Sequence, residues 1–164
     1  MWNGVELYAD PIFAVSYTNN TEKGTETAIV TVDAEDLKGE MSAEFEIKDV
    51  TEVFDDVAAD DWYFGDVAYM HRKAYMNGIS DREFSPDTSL TRGMFAAILY
   101  RFDGEPRFDG KVGFDDVDDE EYYADAIGWA KRNGIVSGVS DTEFAPDEYI
   151  TRAETAAMMH RLSK

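Results

Sequence analysis

The chain repeats itself at a fixed offset of 60 positions. Residues 54–101 and 114–161 align without a gap, and 18 of the 48 aligned positions are identical. The opening Phe-Asp-Asp-Val at 54–57, for example, returns at 114–117. A constant internal period predicts two copies of one supersecondary unit that bury their apolar faces against each other. Such an arrangement favours a binding or scaffolding role over a single catalytic pocket.

The charge of the chain narrows the range of partners. Its 35 acidic and 15 basic residues give a formal net charge of -20, which disfavours nucleic acids and anionic membranes. Apolar residues make up 44% of the 164 residues, enough for a packed core. There is no cysteine, so neither a disulfide framework nor a thiolate metal site is available. No apolar run approaches the length of a membrane span, and we expect any export signal to lie outside this chain.

The first fifty residues are predicted to form antiparallel strands. Apolar and polar residues alternate over 13–17, 28–32 and 43–47, with β-branched and aromatic residues among them. Turn residues separate these segments, so three or four strands are expected. The sequence of the two repeats, which follow these strands, favours helices. The predicted fold class is therefore α+β with segregated β and α parts.

The amino-acid sequence of these predicted strands resembles part of a bacterial immunoglobulin-like surface module. A Val-Ser-Tyr-x-Asn-Asn segment leading to Gly-Thr runs from Val15 to Thr25, and a strand ending in Thr-Val follows at Ile29–Val32. The resemblance covers residues 3–48. It implies the C-terminal half of such a module, in a chain that is a fragment of a larger protein.

Each repeat is predicted to form a helix, a loop and a second helix. In the second repeat, Tyr123, Ala126, Ile127 and Ala130 form one apolar stripe at helical spacing. The equivalent stripe of the first repeat comprises Tyr63, Val67, Met70 and Ala74. The predicted organisation is a β segment over 1–50, a first repeat over 51–104, a linker over 105–113 and a second repeat over 114–164.

The loop and the second helix of each repeat carry local signals. Gly78 and Gly138 are predicted to need a positive φ. Thr151 and Glu154 are spaced as a capping box at the start of a helix, and Thr91 is an equivalent N-cap. The capping box leaves Arg152 unexplained, because an arginine at the first helical position opposes the helix dipole. A ligand for an anion and a solvated surface arginine remain equal alternatives for Arg152.

Taken together, the repeat motifs resemble those of S-layer homology repeats. These motifs are the Phe-x-Asp-Val opening, the aromatic helix start, the Gly-x-x-Asp-x-x-Phe-x-Pro loop and the Thr-Arg-Ala-Glu helix start. The resemblance covers both copies, about three-fifths of the chain. It implies a bundle with one long helix from each repeat. It also implies non-covalent anchoring to the bacterial cell wall through secondary cell wall polysaccharide, often pyruvylated, bound in grooves between repeats.

The resemblance also implies the residues of a glycan site. Arg152, with Arg92 as the weaker equivalent, would contact an acidic sugar. Met94 replaces the motif glutamate in the first repeat, and Gly93 next to it weakens the helix. Core packing is the favoured interpretation for Trp62 and Tyr122, with sugar stacking as the alternative. The predicted ligand-binding residues are Arg152, Glu154, Arg92, Gly138, Gly78, Asp141, Asp81, Trp62 and Tyr122.

The predicted function is therefore non-enzymatic attachment of an exported protein to the bacterial cell surface. The predicted partner is a secondary wall polysaccharide or another glycan associated with peptidoglycan, and no catalytic residue, metal or cofactor is predicted. The competing interpretation is a self-assembly module without glycan binding, and a third makes this fragment the tether of an enzyme encoded upstream. Three repeats usually close the bundle of this family. Here the β segment, a second chain or the two repeats alone would have to complete it.

Overall fold

The computed structural model describes residues 13–18, 24–34 and 37–164. The chain divides into two compact units, Met1–Asp55 and Asp56–Lys164. The first unit holds the described strands and one short helix, and the second holds both repeats. The predicted α+β class with segregated parts is confirmed.

The first unit contains a three-stranded antiparallel meander in the order β1-β2-β3. Each predicted strand lies within an observed one, and residues 19–23 between β1 and β2 lie outside the described residues. Asp49 caps the short helix that follows, because its Oδ1 accepts a hydrogen bond of 3.0 Å from the amide of Thr51. The elements are β1 (Phe13–Thr18), β2 (Gly24–Ala34), β3 (Leu37–Ile47) and α1 (Val50–Val53).

Each repeat of the second unit consists of two helices joined by an irregular loop, as predicted. The first repeat contributes α2 (Phe64–Arg72) and α3 (Arg92–Phe102), and the second contributes α4 (Ala124–Arg132) and α5 (Arg152–Leu162). No helix in the described part of the chain is long and apolar enough to cross a membrane.

The predicted stripe of the second repeat is buried along the whole of α4. Tyr123, Ala126, Ile127 and Ala130 all belong to the main hydrophobic core. Trp129 is buried as well, and its ring lies 5.3 Å from that of Tyr100 between centroids. This contact joins the second repeat to α3 of the first.

Helix α3 belongs to the first repeat in sequence but to the core of the second in space. It lies against both α4 and α5. Phe95, Ala96, Ala97 and Leu99 of this helix are buried in the same core as α4. By contrast, the only residue of α2 that is fully buried is Val67. The hydrophobic core of the second unit is therefore centred on α3 and the second repeat.

Both first helices end in a residue with left-handed backbone conformation. Gly134 has φ 68° after α4, and Ala74 has φ 55° at the equivalent place after α2. The prediction that Ala74 continues the apolar stripe is wrong, because α2 has ended before it and the side chain is exposed. The predicted positive φ of Gly78 and Gly138 is also wrong, since neither is among the described glycines with a positive φ.

Candidate functional site

An aspartate from the opening motif holds the loop of each repeat. Asp56 accepts hydrogen bonds of 2.8 and 2.6 Å from the amides of Phe84 and Ser85. Ser85 has φ 60°, and the two bonds hold this uncommon backbone conformation in place. Burial acts to raise the pKa of Asp56, but the hydrogen bonds from the two amides outweigh it and lower the pKa.

An aspartate holds the loop of the second repeat in the same way. Asp116 accepts hydrogen bonds of 2.8 and 2.7 Å from the amides of Phe144 and Ala145, and Ala145 has φ 59°. Each loop thus carries one non-glycine residue in the left-handed region, fixed by an aspartate 29 positions earlier. This role of the aspartate was not predicted, although the Phe-Asp-Asp-Val identity between the repeats is its signal in the sequence.

The start of α3 is joined to the loop that precedes α5. The amide of Arg92 donates to the carbonyl of Glu148 at 2.9 Å, and that of Gly93 donates to the carbonyl of Pro146 at 2.8 Å. Thr91 forms an antiparallel bridge with Tyr149. The first amides of a helix have no partner inside the helix. Here the neighbouring repeat supplies partners for two of them.

The side chain of Arg92 completes this junction, which we call the seam. Arg92 is 3% exposed, and its Nε donates to the carbonyl of Phe144 at 2.9 Å. Nη2 donates to the carbonyl of Ser137 at 3.2 Å, and Nη1 is bonded to Oε1 of Glu154 in an ion pair. The guanidinium carbon lies 4.6 Å from the centre of the Phe144 ring. All of these partners belong to the second repeat, so each nitrogen of the guanidinium donates a hydrogen bond to that repeat.

Glu154 has two functions at the seam. Its Oε2 accepts bonds from the amide and hydroxyl of Thr151 at 2.9 and 2.7 Å, and Thr151 in turn caps the amide of Glu154. The predicted capping box is therefore confirmed. The bonds from Thr151, followed by the charge of Arg92, hold the pKa of Glu154 below its ordinary value against the opposing effect of burial.

Gly93 allows close approach of backbone at the seam, and Gly138 allows it within the loop of the second repeat. A Cβ on Gly93 would lie 2.9 Å from Cδ1 of Tyr123 and 3.2 Å from the carbonyl oxygen of Pro146. A Cβ on Gly138 would collide with the carbonyl oxygens of Ser140 and Glu143. Gly93 is therefore required by packing, and the interpretation of Gly93 as a weakened helix position missed this role because the contact is formed with the other repeat.

The other predicted binding residues lie mainly at the surface. Arg152 is exposed and its side chain forms no hydrogen bond or ion pair with any described residue, and Asp81 and Asp141 are also exposed. Trp62 and Tyr122 are 89% and 58% exposed, so the prediction of core packing is wrong for both. Their burial was overestimated because each precedes its helix; in the second repeat the next residue, Tyr123, is buried instead.

An open groove of about 560 Å³ brings two of the predicted residues together. Gly78 of the first repeat and Tyr122 of the second both line it, as does Met94. Arg101, which is not among the predicted binding residues, supplies the guanidinium of this groove. Its nearest acidic partner is Glu105, at 3.7 Å between Nε and Oε1. The groove therefore combines an aromatic ring, apolar side chains and a weakly paired cation.

Comparisons with known proteins match the repeats. The model of the S-layer homology domain matches residues 53–96 and 113–156, which together make up more than half of the chain. The surface-layer 125 kDa protein of Lysinibacillus sphaericus is 37% identical over 84 residues, or 51% of this chain and 7% of that protein.

Two further relatives match over a larger share of the chain. An endoglucanase of Bacillus sp. is 35% identical over 115 residues, covering 66% of this chain and 11% of the enzyme. The cellulosome-anchoring protein of Acetivibrio thermocellus is 28% identical over 120 residues, covering 66% of this chain and 25% of that protein. The match thus spans a quarter or less of each of these proteins. The match of the family model to both repeats places the chain in the S-layer homology domain family.

Proposed function

We propose that this chain attaches the protein that carries it to the bacterial cell wall, outside the cell, by binding a secondary cell wall polysaccharide. The observation that carries the proposal is the family match over both repeats. Two relatives are named as a surface-layer protein and a cellulosome-anchoring protein, which supports a role at the cell surface. The endoglucanase matches over only 11% of its length, which supports a non-catalytic role for the shared region.

The glycan would bind in the groove lined by Gly78, Arg101 and Tyr122. Sugar rings present C–H groups that pack on aromatic faces, and Tyr122 offers such a face. The ring of Tyr123 lies 4.8 Å from that of Tyr122 and helps to fix its orientation. Trp62 is the equivalent residue of the first repeat, stands beside Tyr63 in the same way and offers a second stacking surface.

Arg101 would select a glycan that carries carboxylates. A guanidinium binds a carboxylate through two parallel hydrogen bonds, and the long contact to Glu105 leaves Arg101 available for this. The net charge of -20 opposes an anionic polymer at long range, so local contact has to supply the attraction. Since salt screens charges beyond about 10 Å, this repulsion is weakest in saline surroundings.

Retention on purified cell wall sacculi tests the proposal. The full chain should bind sacculi that carry the secondary polymer and should not bind sacculi from which it has been stripped. Tyr122→Ala should weaken binding roughly three- to tenfold, the range expected for one aromatic contact. Tyr69→Ala is the matched control, because Tyr69 is exposed on α2 and does not line the groove. Equal retention on stripped and unstripped sacculi would contradict the proposal.

A second experiment tests the role of the charge. Arg101→Gln should weaken binding to the native polysaccharide but should have no effect on binding to a polysaccharide whose carboxyl groups have been reduced. If the variant and the wild type differ equally on both polymers, Arg101 acts through packing and the proposed selection of an acidic glycan is wrong.

We further propose that β1, β2 and β3 belong to an immunoglobulin-like surface module. The antiparallel meander and the alternating sequence of its strands support this. A structure of a longer piece of the same protein tests it, since additional strands should pair with this sheet and close a sandwich. A sheet that stays three-stranded in the longer chain would contradict the assignment.

A further inference from the structure

Asparagine followed by glycine is a chemically labile pair, because glycine has no side chain to hinder attack by its backbone nitrogen. Once it has lost its proton, this nitrogen attacks Cγ of the asparagine, and the side-chain nitrogen leaves as ammonia. Water then opens the resulting succinimide ring to aspartate or isoaspartate, so that an amide and water become a carboxylic acid and ammonia. The chain contains three such pairs, Asn3-Gly4, Asn77-Gly78 and Asn133-Gly134. The first lies outside the described residues.

The pair Asn77-Gly78 lies in an irregular part of the first-repeat loop, and both of its reacting groups are accessible. Asn77 is exposed, and neither its side-chain amide nor the backbone amide of Gly78 donates a hydrogen bond to a described residue. The backbone amides of Met76 and Ile79, on either side, donate to carbonyls at 3.3 and 2.8 Å. The pair is therefore an unbonded link between two fixed points, and no hydrogen bond has to break before the ring closes.

The pair Asn133-Gly134 has the same two residues but is held at the end of α4. The side-chain Nδ2 of Asn133 donates to the carbonyl of Trp129 at 2.8 Å, and the amide of Gly134 donates to the carbonyl of Lys131 at 3.0 Å. Both groups that have to meet in the succinimide are thus bonded to the last turn of the helix. Ring closure at this pair requires these bonds to break first, which slows the reaction.

The accessibility of Asn77 does not depend on an empty groove. The equivalent pair of the second repeat is Ser137-Gly138, in a loop that is occupied, because the carbonyl of Ser137 accepts a hydrogen bond from Arg92. Ser137 is nevertheless exposed, and the amide of Gly138 donates to no described residue. A helix start in such a loop therefore binds carbonyls and leaves the side chain at this position in solvent. Since serine has no side-chain amide, only the first repeat carries the reactive pair here.

We propose that Asn77 deamidates spontaneously in the folded protein and that the product lowers the affinity of the groove for an acidic glycan. Asn77 and Gly78 line the same groove as Arg101. Deamidation places a carboxylate in this groove, where it repels the carboxylates that Arg101 would bind. The isoaspartate product also lengthens the main chain next to Gly78. The effect on binding rests on the proposed function, whereas the reaction does not.

The consequence of this reaction depends on time. It needs no enzyme and no reagent other than water, and the ammonia that it releases is lost to the solvent. The modified fraction therefore increases with the age of the molecule. Older copies of the protein would be held less tightly at the wall than newly made ones.

Peptide mapping of the full chain by mass spectrometry during incubation tests the reaction. The rate at each asparagine is divided by the rate at the same residue in the urea-unfolded chain, which removes the effect of local sequence. Asn77 should react in the folded chain at nearly its unfolded rate, whereas Asn133 should be slowed about tenfold or more. Asn77→Gln should stop the conversion at position 77, because the longer side chain does not close a five-membered ring. The rate at Asn133 should be the same in this variant.

Retention on sacculi that carry the secondary polymer tests the effect on the groove. Asn77→Asp should weaken binding about three- to tenfold, as one added charge in a partly solvated groove would. Ser137→Asp is the matched control, because it adds the same charge at the equivalent exposed position, outside the groove. On incubation the wild type should lose retention in step with the modified fraction at position 77, while Asn77→Gln should keep the retention of its fresh sample.

Two outcomes would overturn the proposal, and they are distinct from a failure of anchoring. Protection of Asn77 in the folded chain that equals or exceeds that of Asn133 would show that the loop does not expose the reactive pair. Equal retention of Asn77→Asp and the wild type would show that the product does not affect the groove. If the fresh wild type is not retained at all, anchoring is wrong and the effect on binding falls with it, while the two rates still decide the reaction.

Discussion

Arg92 and Arg152 occupy the same position of the same motif but have opposite environments. Arg92 is buried and bonded to two carbonyls and a carboxylate of the second repeat, whereas Arg152 is exposed and has no partner among the described residues. The motif itself does not decide between these roles. The difference is that the loop of the second repeat receives Arg92, while no loop within Asp56–Lys164 receives Arg152.

Helices α2 and α4 show the same dependence on position. Both have nine residues and end in a left-handed residue, but α4 packs against α3 of the preceding repeat. In the second unit no earlier repeat precedes α2, and it buries Val67 alone. An equivalent sequence thus forms a core helix in one repeat and a mostly exposed helix in the other, because helices of this kind are stabilised mainly by the packing of one face.

The largest expected effect comes from removing the arginine at the seam. Arg92→Ala should lower the free energy of unfolding by about 3 kcal/mol, because it leaves carbonyls and Glu154 without their partner. This value is at the low end for a buried ion pair, since about a third of the Glu154 side chain is exposed. Arg152→Ala should change the free energy of unfolding by no more than about 0.5 kcal/mol. Urea unfolding followed by circular dichroism measures both, at a concentration where the chain is monomeric, and equal losses in the two variants would contradict the comparison.

The glycines of the two repeats give a second contrast. Gly138→Ala should lower the free energy of unfolding by about 2 kcal/mol, because its Cβ would collide with loop carbonyls and with the ring of Phe114. Gly65→Ala is the control on the exposed α2, where a Cβ meets nothing within 4 Å. It should raise the free energy of unfolding by about 0.5–1 kcal/mol, since alanine is the better helix former. Thermal unfolding of both variants measures these changes. Shifts of the same sign in their melting temperatures would contradict the packing argument.

Substitutions at the ends of α2 and α4 should change the free energy of unfolding in opposite directions. Ala74→Gly should raise the free energy of unfolding by about 1 kcal/mol, because φ 55° costs alanine more than glycine. Gly134→Ala should lower it by a similar amount for the same reason, since Gly134 has φ 68°. Chemical unfolding of the two variants measures this. A loss of stability in Ala74→Gly would show that the methyl group of Ala74 contributes packing that its exposure does not indicate.

The smallest expected effect is the contribution of the Glu154 charge to the free energy of unfolding. The pKa of Glu154 lies below its ordinary value of 4.5 in the folded chain, so its charge stabilises the fold above that pH. This contribution should disappear as the pH falls from 4.5 through the lowered pKa. The stability difference between the wild type and Glu154→Gln should therefore be largest above pH 4.5 and should shrink in acid. A difference that stays constant down to the acid transition would show that Glu154 acts through its shape alone.

Local features could be predicted from the sequence, and features that join distant segments could not. The order of the helices, the caps at Thr91 and Thr151 and the buried stripe of α4 all depend on neighbouring residues, and the predictions were confirmed. The role of Arg92 depends on Ser137 and Glu154, which lie 45 and 62 positions away in the chain, and Gly93 contacts the same repeat, so local sequence does not reveal either role.

The exposed aromatic residues show a different limit. The sequence places Trp62 and Tyr122 at helix starts, where apolar character suggests burial, but each lies just before the helix and points away from the stripe behind it. Arg101 was overlooked because an arginine near the end of a helix already has an ordinary explanation in the helix dipole. Its importance for the groove follows only from the position of Tyr122, which comes from the other repeat.

Native-state hydrogen exchange most directly tests the claim that α3 completes the second repeat. The amides of Phe95–Leu99 in α3 and of Ala126–Ala130 in α4 should exchange with the same opening free energy and respond equally to denaturant, while those of α2 should open at lower cost. Arg92→Ala should lower protection in α3 and α4 together. If α3 instead opens together with α2 and independently of α4, the two repeats are separate folding units and the account of the seam is wrong.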